Sequence, residues 1–358
     1  MGRQRTRASS GRNVSPTIVD VAREAGVSVS TVSRVLNNKP DVAQATREAV
    51  RAAIRRLGYV ANPSARRLAG GRTGIIGLVV PDFITPYAME IARGVGEAVR
   101  EASYDLILYS AGQGRENHRG EEREHAWLNI LSRGLVDGLL LVLPRSSGEA
   151  LISLAHRGFP VVLIDHRGID TDLPSVVATN REGALEATRY LLSLGHRRIG
   201  FITGLLNYHA GADRLAGYRE ALAQAGVPYD PSLVIEGNFR RQSGYEAALA
   251  LMRLPDPPTA IFASNDESAL GALDALRDLG LRVPDDVSLV GFDDISAAAE
   301  TRPPLTTVRQ PLMEMGYQAV QLILAMLNGR SDVMQQIQLP TRLIVRGSCS
   351  PLQSPQEH

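Results

Sequence analysis

The stretch Thr17–Asn37, TIVDVAREAGVSVSTVSRVLN, decides the fold of the N-terminal region. Thr17 and Asp20 resemble a capping box, with Asp in place of the usual Glu, and apolar residues then recur on one helical face. Gly26 ends this helix because glycine readily adopts a positive φ, and Ser28 can cap a second helix through its hydroxyl. The predicted buried face of the second helix consists of Val32, Val35 and Leu36.

A third helix is predicted from about Gln44 to Leu57, and Gly58 ends it. Two short helices joined by a glycine-containing turn and braced by a third have the geometry of a helix-turn-helix DNA reader. We therefore expect an all-α DNA-binding domain over residues 17–61. The preceding residues 1–16 are rich in Arg, Ser and Gly, and we expect them to form a disordered arm.

The second helix is predicted to present Val29, Ser30 and Arg34 away from its buried face. Arg34 can form two hydrogen bonds to a guanine, Ser30 can bond to several bases, and Val29 can contact a thymine methyl group. The predicted phosphate contacts are Thr31, Ser33 and Asn37, and the capping residues Thr17 and Ser28 complete the DNA-binding set of this domain.

Charge is distributed unevenly along the 358 residues, although the net charge is only +1. Residues 1–73 contain 14 Lys and Arg against four Asp and Glu, a net charge of +10, which leaves −9 for the rest. A small basic unit is typical of a polyanion-binding domain, although charge alone also fits a solvated tail.

The single cysteine, Cys349, excludes an intramolecular disulfide and a multi-cysteine metal site. With no long apolar run or signal segment, we expect a cytoplasmic, nucleoid-associated protein.

Residues 17–28 and 31–37 closely resemble the headpiece of the lactose/galactose repressor (LacI/GalR) family. The resemblance continues through Thr46-Arg47, Leu57-Gly58-Tyr59 and Asn62–Leu68. In that family the last of these segments is a hinge helix, which folds on operator DNA and pushes one leucine into the minor groove.

Leu68 matches the wedge leucine, so the resemblance implies a hinge over residues 62–72 that bends the operator. A flexible linker with an incidental leucine is the alternative. The other DNA contacts predicted in the hinge are Asn62, Ser64 and Ala65.

From Thr73 onward, short apolar runs alternate with helical stretches such as Tyr87–Ser103. This pattern predicts two doubly wound, parallel-sheet subdomains with a cleft at the carboxyl ends of the strands. Periplasmic sugar-binding proteins share this architecture, so the fold class is a helix-turn-helix headpiece plus an α/β periplasmic-binding-protein-like core. The expected strands are Ile75–Val80, Asp105–Tyr109, Gly138–Leu143, Val161–Asp165, Ile199–Thr203, Ala260–Ala263 and Ser288–Phe292.

The core is expected to span residues 73–350, followed by a tail over residues 351–358. Its N-subdomain is expected to comprise about 73–173 and 308–339. Its C-subdomain is expected to comprise about 174–307 and 340–350.

Polar and aromatic side chains follow the expected strands. Carboxylates and amides bind the hydroxyls of a diol, an arginine donates to them, and an aromatic ring covers the apolar face of a pyranose. Residues 160–311 resemble the family strongly. The resemblance implies effector contacts by Asp165, Arg214, Phe239, Asn265, Asp293 and Gln310. Their positions after strands or at helix starts add Asp82, Tyr87 and Tyr208 to the candidate effector site.

Alternative roles stay open for several of these residues and their neighbours. Asp266 and Asp294 can cap helices, Arg214 can form a surface ion pair, and Tyr87 can belong to the core. Ser268 and Ala269 are assigned to helix packing.

Two departures from the family pattern bear on the effector. The purine-binding branch has an Arg where this chain has Tyr208 and a second aromatic residue where it has Ala88, which favours a sugar over a purine. Many sugar-responsive members have an Asn where this chain has Thr85, which leaves the orientation of the sugar open.

The resemblance implies a homodimeric repressor of sugar-utilisation genes, which a small sugar releases from a palindromic operator. Two alternatives are a regulator that needs a purine or a phosphoprotein partner to bind DNA, and a sugar-binding receptor without DNA function. No catalytic motif occurs, and His118 and His125 lack partners at ligand spacing. We therefore expect no enzyme activity, no metal, no other cofactor and no membrane partner.

Overall fold

The computed structural model describes residues 16–36, 39–59, 72–111, 134–143, 156–166, 173–330 and 335–352. The chain divides into two compact units, Met1–Thr73 and Gly74–His358. Several predictions lie outside the described residues: the arm to residue 15, the phosphate contact Asn37, the hinge contacts Asn62, Ser64, Ala65 and Leu68, and the tail from residue 353. Within the described ranges, no helix has both the length and the apolar character needed to span a bilayer.

The first unit contains the three predicted helices, α1 (Ile18–Ala25), α2 (Val29–Leu36) and α3 (Gln44–Leu57). Thr17 and Asp20 form the predicted capping box, in which each side chain accepts a hydrogen bond from the other residue's backbone N–H. Gly26 and Gly58 end α1 and α3 at φ values of 65° and 62°. The buried core of the unit consists of Val21, Ala22, Val32, Val35, Val50 and Ala53.

The second unit contains strands and helices in alternation. The strands are β1 (Ile75–Val80), β2 (Asp105–Ser110), β3 (Gly138–Val142), β4 (Val161–Ile164), β5 (Ser175–Ala178), β6 (Ile199–Ile202), β7 (Val234–Ile235), β8 (Ala260–Ala263), β9 (Ser288–Asp293), β10 (Thr306–Arg309), β11 (Gln336–Leu339) and β12 (Arg342–Ile344). The helices are α4 (Pro86–Glu101), α5 (Asn180–Ser193), α6 (His209–Gln224), α7 (Arg241–Met252), α8 (Asp266–Asp278), α9 (Ser296–Glu300) and α10 (Leu312–Leu327), with a short 3-10 helix at Pro231–Leu233.

These strands form two sheets. The first has the order β11-β5-β4-β3-β1-β2 and the second the order β12-β10-β9-β8-β6-β7. All neighbouring strands are parallel except β12, which is antiparallel to β10. We call the first sheet with its helices the N-subdomain and the second the C-subdomain.

Both faces of each sheet are buried. In the first, Ile76 and Leu78 pack with α4 and α10, whereas Val79 lies in a separate cluster on the opposite face. In the second, Phe201 packs with α5 and α6, and its neighbour Ile202 packs with α7 and α8. This two-sided burial explains the continuous apolar runs that identified the strands.

Between the described strands, the chain crosses from one sheet to the other three times, after β5, after β10 and after β11. The expected boundaries at 173/174 and 307/308 are corrected by the strand pairing. Ser175–Ala178 pairs with β4 and β11 in the first sheet, and Thr306–Arg309 pairs with β9 in the second. Ladder hydrogen bonds decide which sheet a short strand joins, and the strand's own sequence does not reveal its partner.

Candidate functional site

The surface of α2 presents the side chains that sequence analysis selected as base contacts. Val29 is 41% exposed, and Ser30 and Arg34 are also exposed, while Val32 and Val35 are buried against the other two helices. The predicted outward face of the helix is therefore the observed one. Thr31 and Ser33 are half-buried beside it.

The start of α2 is held by Ser28. Its hydroxyl oxygen accepts a hydrogen bond from the backbone N–H of Thr31 at 3.1 Å and lies 2.7 Å from the hydroxyl oxygen of Ser30. Ser28 thus has the capping role predicted for it. The hydroxyl of Thr17 is likewise engaged at the start of α1, where it lies 2.7 Å from the Asp20 carboxylate.

Arg34 has a partner that sequence analysis did not identify. Its guanidinium forms an ion pair with the carboxylate of Asp41 in the loop after α2, and both side chains are about half exposed. Arg47 holds the same loop by donating to the carbonyl oxygens of Lys39 and Val42, at 2.8 and 3.3 Å.

In the second unit, the predicted effector residues lie at the carboxyl ends of the strands. Asp165 follows β4 with a φ of 51° and is buried, and its Oδ2 accepts a 2.7 Å hydrogen bond from the hydroxyl of Tyr87 on α4. Burial and the adjacent Asp165 carboxylate raise the pKa of Tyr87 well above its ordinary value. Tyr87 therefore stays a hydrogen-bond donor, and it also packs against the apolar core, which was its alternative role.

Arg214 of α6 is the buried centre of the C-subdomain site. Its Nε donates to Asn180 Oδ1 at 2.9 Å, and its Nη1 donates to the backbone oxygen of Ser264. The same nitrogen lies 3.6 Å from Asp293 Oδ1, and the guanidinium lies over the Phe292 ring at 3.8 Å from its centroid. Only 2% of Arg214 is exposed, so its alternative role as a surface ion pair is excluded.

Asp293 ends β9 beside Arg214. Burial raises its pKa to about 7, although Arg214 and a 2.7 Å hydrogen bond from Gln310 Nε2 act in the opposite direction. Behind it, the fully buried Asp266 accepts hydrogen bonds from the Thr307 hydroxyl and the Ile295 N–H. Burial and the nearby Asp293 raise the pKa of Asp266 well above its ordinary value.

Neither Asp266 nor Asp294 caps a helix, which corrects the alternative given to them. The N-cap of α8 is Asn265, whose Oδ1 accepts from Ser268 N at 3.0 Å. Asp294 instead binds two arginines, Arg309 and Arg346, each at 2.6 Å.

The ring of Phe239 lies next to Arg214, with its centroid 5.9 Å from the guanidinium carbon. Phe239 has a φ of 64°, and its ring packs so closely on Gly204 that a Cβ atom at that position would overlap it. Tyr208 meets the Phe239 ring edge to face at 6.1 Å between centroids. Asn265 Nδ2 donates to the Phe239 backbone oxygen at 3.0 Å, so both of its amide atoms bind the protein.

Asp82 binds its own loop and one residue of the C-subdomain. Its Oδ1 accepts hydrogen bonds from Ile84 N, Thr85 N and the Thr85 hydroxyl at 2.8–2.9 Å. Its Oδ2 lies 3.4 Å from Arg240 of the C-subdomain. Asp82 therefore joins the two subdomains through an ion pair.

Two residues next to the site were missed, Asn180 and His166. Asn180 follows β5, a strand that sequence analysis did not identify, and recognising that strand would have marked it. His166 directly follows Asp165, and its ring meets His209 of the C-subdomain at 5.6 Å between centroids. Burial and His209 lower the pKa of His166. Among the described residues, no group of three His, Cys, Asp or Glu side chains is arranged to hold a metal ion.

Each of the two units contains a segment that matches the model of a known protein family. Residues 17–62 match the family model of bacterial regulatory proteins of the lacI family, and residues 188–349 match that of the periplasmic binding protein-like domain. The HTH-type transcriptional regulator DegA of Bacillus subtilis (strain 168) is 37% identical over 339 residues, which cover 94% of this chain and 98% of that protein.

Two solved structures resemble nearly the whole chain. A complex of the transcriptional regulator CelR with cellobiose is 38% identical with a TM-score of 0.70, covering 93% of this chain and 99% of that one. The lac repressor dimer bound to operator and the anti-inducer ONPF is 29% identical with a TM-score of 0.80, covering 94% and 99%. The predicted fold class is therefore confirmed, and this chain belongs to the lacI family of bacterial transcriptional regulators.

Proposed function

We propose that this regulator is a homodimeric repressor, which binds a palindromic operator and is released by a small sugar. In this proposal α2 reads bases with Val29, Ser30 and Arg34, and Leu68 wedges into the minor groove. A sugar bound between the two sheets changes the angle between the subdomains and separates the paired hinge segments. Such a mechanism corresponds to a coupling free energy of about 1–3 kcal/mol between the sugar site and the operator site.

The observation that carries the proposal is the buried polar site around Arg214. Two polar pairs from different subdomains, Tyr87–Asp165 and Arg214–Asp293, lie at the carboxyl ends of their sheets. They act on each other, since Asp165 contributes to the raised pKa of Asp293. A polyol that binds both pairs joins the two subdomains. The solved CelR–cellobiose complex supports a sugar as the ligand of a similar protein.

A dimer follows from the size of the DNA-binding unit. One headpiece offers few base contacts, and two-fold symmetry doubles them on a palindrome. The solved lac repressor dimer on its operator is a similar protein in that arrangement. We also propose a cytoplasmic, nucleoid-associated location and a purely binding role without catalysis, which agrees with a family of transcriptional regulators.

The DNA part of the proposal is tested with Arg34→Ala. Operator DNA is first selected from a randomised pool with the full-length protein. Loss of a bidentate base contact should weaken operator binding by about 1–3 kcal/mol and relax base choice at one position. An equal loss on operator and on random DNA would show that Arg34 contacts only the backbone.

The effector part is tested by a thermal-shift screen against pentoses, hexoses, disaccharides, sugar phosphates and purines. A bound ligand raises the melting temperature by mass action, and Asp293→Ala should abolish that rise. The same ligand is then added to the operator complex. Release of DNA supports a sugar-induced repressor, whereas tighter DNA binding would favour the corepressor alternative. A shift with purines alone would overturn the choice of a sugar.

A further inference from the structure

The ligand site contains an excess of carboxylates over cations. The pKa values of two aspartates in the C-subdomain, Asp213 and Asp293, are raised above the ordinary value. The negative charge of Asp165 in the N-subdomain contributes to both of these rises. Burial is the larger cause of each rise. Asp165 and Asp293 are 3% and 5% exposed and Asp213 is half-buried, so carboxylates from both subdomains outnumber the buried guanidinium of Arg214.

The cations near these carboxylates include Arg181 and His209 beside Asp213, and Arg181 is already paired with Glu220 at 2.8 Å. Arg214 is buried and bonded to Asn180, Ser264 and Asp293, as described above. Arg240 is paired with Asp82 at 3.4 Å. Burial and the neighbouring His209 lower the pKa of His166, so this imidazole is neutral at pH 7 and adds no positive charge.

The site also holds buried polar atoms that lack a hydrogen-bond partner among the described residues. They are Gln310 Oε1, Ser264 Oγ and His166 Nδ1. Gln310 and Ser264 are 4% and 0% exposed, and all three residues follow strands at the ligand end of the two sheets. A buried polar atom without a partner is costly, so these atoms favour a bound molecule that can donate and accept hydrogen bonds, as the hydroxyl groups of a polyol do.

We propose that the site selects an uncharged polyol and rejects the phosphorylated form of the same sugar. This inference rests on the proposed function and names the class of its ligand. Hydroxyl groups supply donors to Asp165, Asp293 and Gln310 Oε1, and they can also accept from Ser264. A phosphate monoester brings acceptor oxygens and about two negative charges at pH 7 into a site that already has surplus carboxylates.

The test compares matched pairs on the full-length protein at pH 7.5. The pairs are D-ribose and ribose 5-phosphate, D-glucose and glucose 6-phosphate, D-fructose and fructose 1-phosphate, and trehalose and trehalose 6-phosphate, with inorganic phosphate as the anion alone. Thermal shift identifies binders, and calorimetry then gives Kd. We expect at least one uncharged member to bind and its phosphorylated partner to bind at least about a hundredfold more weakly, since like charges in contact are strongly unfavourable.

A charge-neutralising variant separates electrostatics from shape. Asp213→Asn should narrow the ratio between the two members of a pair by roughly three- to tenfold, because one carboxylate charge is lost while side-chain size is kept. The control is Asp274→Asn in the middle of α8, where the carboxylate pairs with Arg241. The control should leave the ratio unchanged.

Each outcome decides something different. Binding of a phosphorylated member as tight as its uncharged partner overturns the inference and leaves the proposed repressor intact. Equal narrowing by both variants also overturns it, because the discrimination would then reflect net charge rather than this site. If neither member of any pair binds, the uncharged-polyol inference fails together with the sugar part of the proposed function, while operator binding is judged separately by Arg34→Ala.

Discussion

The side chain of Asp293 shows how burial at the proposed ligand site costs stability. Its pKa in the folded protein is about 7, against 3.8 as its ordinary value. At a pH between these two pKa values, the folded state still holds a proton on Asp293 that the unfolded state has lost. The contribution of Asp293 to stability is therefore present below about pH 4 and is lost as the pH rises to about 7. We expect Asp293→Asn, which cannot ionise, to gain melting temperature relative to the parent protein from pH 4 to pH 7, and to keep a constant advantage above pH 7.

A second aspartate provides the opposite sign as a control. Asp286 is exposed and accepts three hydrogen bonds from Arg282, which lower its pKa to about 2. Asp286→Asn should therefore lose melting temperature at pH 7, and the deficit should vanish as the pH falls through about 2. A difference between Asp293→Asn and the parent that is the same at pH 4 and pH 8 would contradict the raised pKa.

The ion pair between Arg34 and Asp41 affects DNA binding at the same scale. Asp41 holds the proposed base-reading guanidinium and, from the loop after α2, adds a negative charge beside the proposed DNA-reading helix. Asp41→Asn should tighten binding to random DNA by up to about 1 kcal/mol, roughly fivefold, in filter-binding assays at low salt. Glu24→Gln is the control, since it removes an equal charge from the pair with Arg56. Equal gains in both variants would mean that only net charge matters.

At the scale of elements, α4 and α10 pack backbone against backbone through two glycines. A Cβ atom on Gly94 would overlap the backbone of Met313, and one on Gly316 would overlap that of Ile91. Gly94→Ala should lower the free energy of unfolding by about 1–3 kcal/mol or more in denaturant titration. Gly96→Ala in the same helix meets no atom within 4 Å and should instead stabilise by about 0.5–1 kcal/mol. If both variants change the free energy of unfolding by the same amount, the two helix backbones do not approach each other closely at Gly94.

Elements with local signals could be predicted from the sequence, and those defined by their partners could not. The bounds of α3 and the capping box of α1 agree with prediction because caps and glycine stops act over a few residues. β7 has two residues, and β11 is a polar-apolar edge strand, so neither carries a core pattern. The same limit applies to the site. Arg214 could be predicted from the family resemblance, whereas Asn180 could be predicted only by first recognising β5, the strand that precedes it.

In the whole molecule, the three crossings between the sheets are the places where the angle between the subdomains can change. Two of them are tied together by Thr179 after β5 and Thr341 after β11. The Thr341 N–H donates to the Thr179 hydroxyl at 2.8 Å, and the Thr341 hydroxyl donates to the Thr179 backbone oxygen at 3.0 Å. The third crossing carries Gln310, which binds Asp293 directly. Asn180 follows Thr179 along the chain and accepts from Arg214 Nε at 2.9 Å, and Arg214 pairs with Asp293. Chain neighbours, hydrogen bonds and this ion pair thus connect the crossings and the proposed ligand contacts in one network.

This network predicts that Thr341 affects the coupling between sugar and operator more than sugar binding itself. Thr341→Val removes the hydroxyl and should cost about 0.5–1.5 kcal/mol of stability. We expect the Kd of the variant for sugar, measured without DNA, to stay within about twofold of the parent value. In the parent, sugar should weaken operator binding by a factor in the usual allosteric range of roughly 5–150-fold, and this factor should be smaller in the variant. Thr341→Ser keeps the hydroxyl and should keep the factor. Sugar affinity measured with and without operator must give the same factor by linkage, which checks that both measurements are at equilibrium. An unchanged factor in Thr341→Val would place the coupling elsewhere than these crossings.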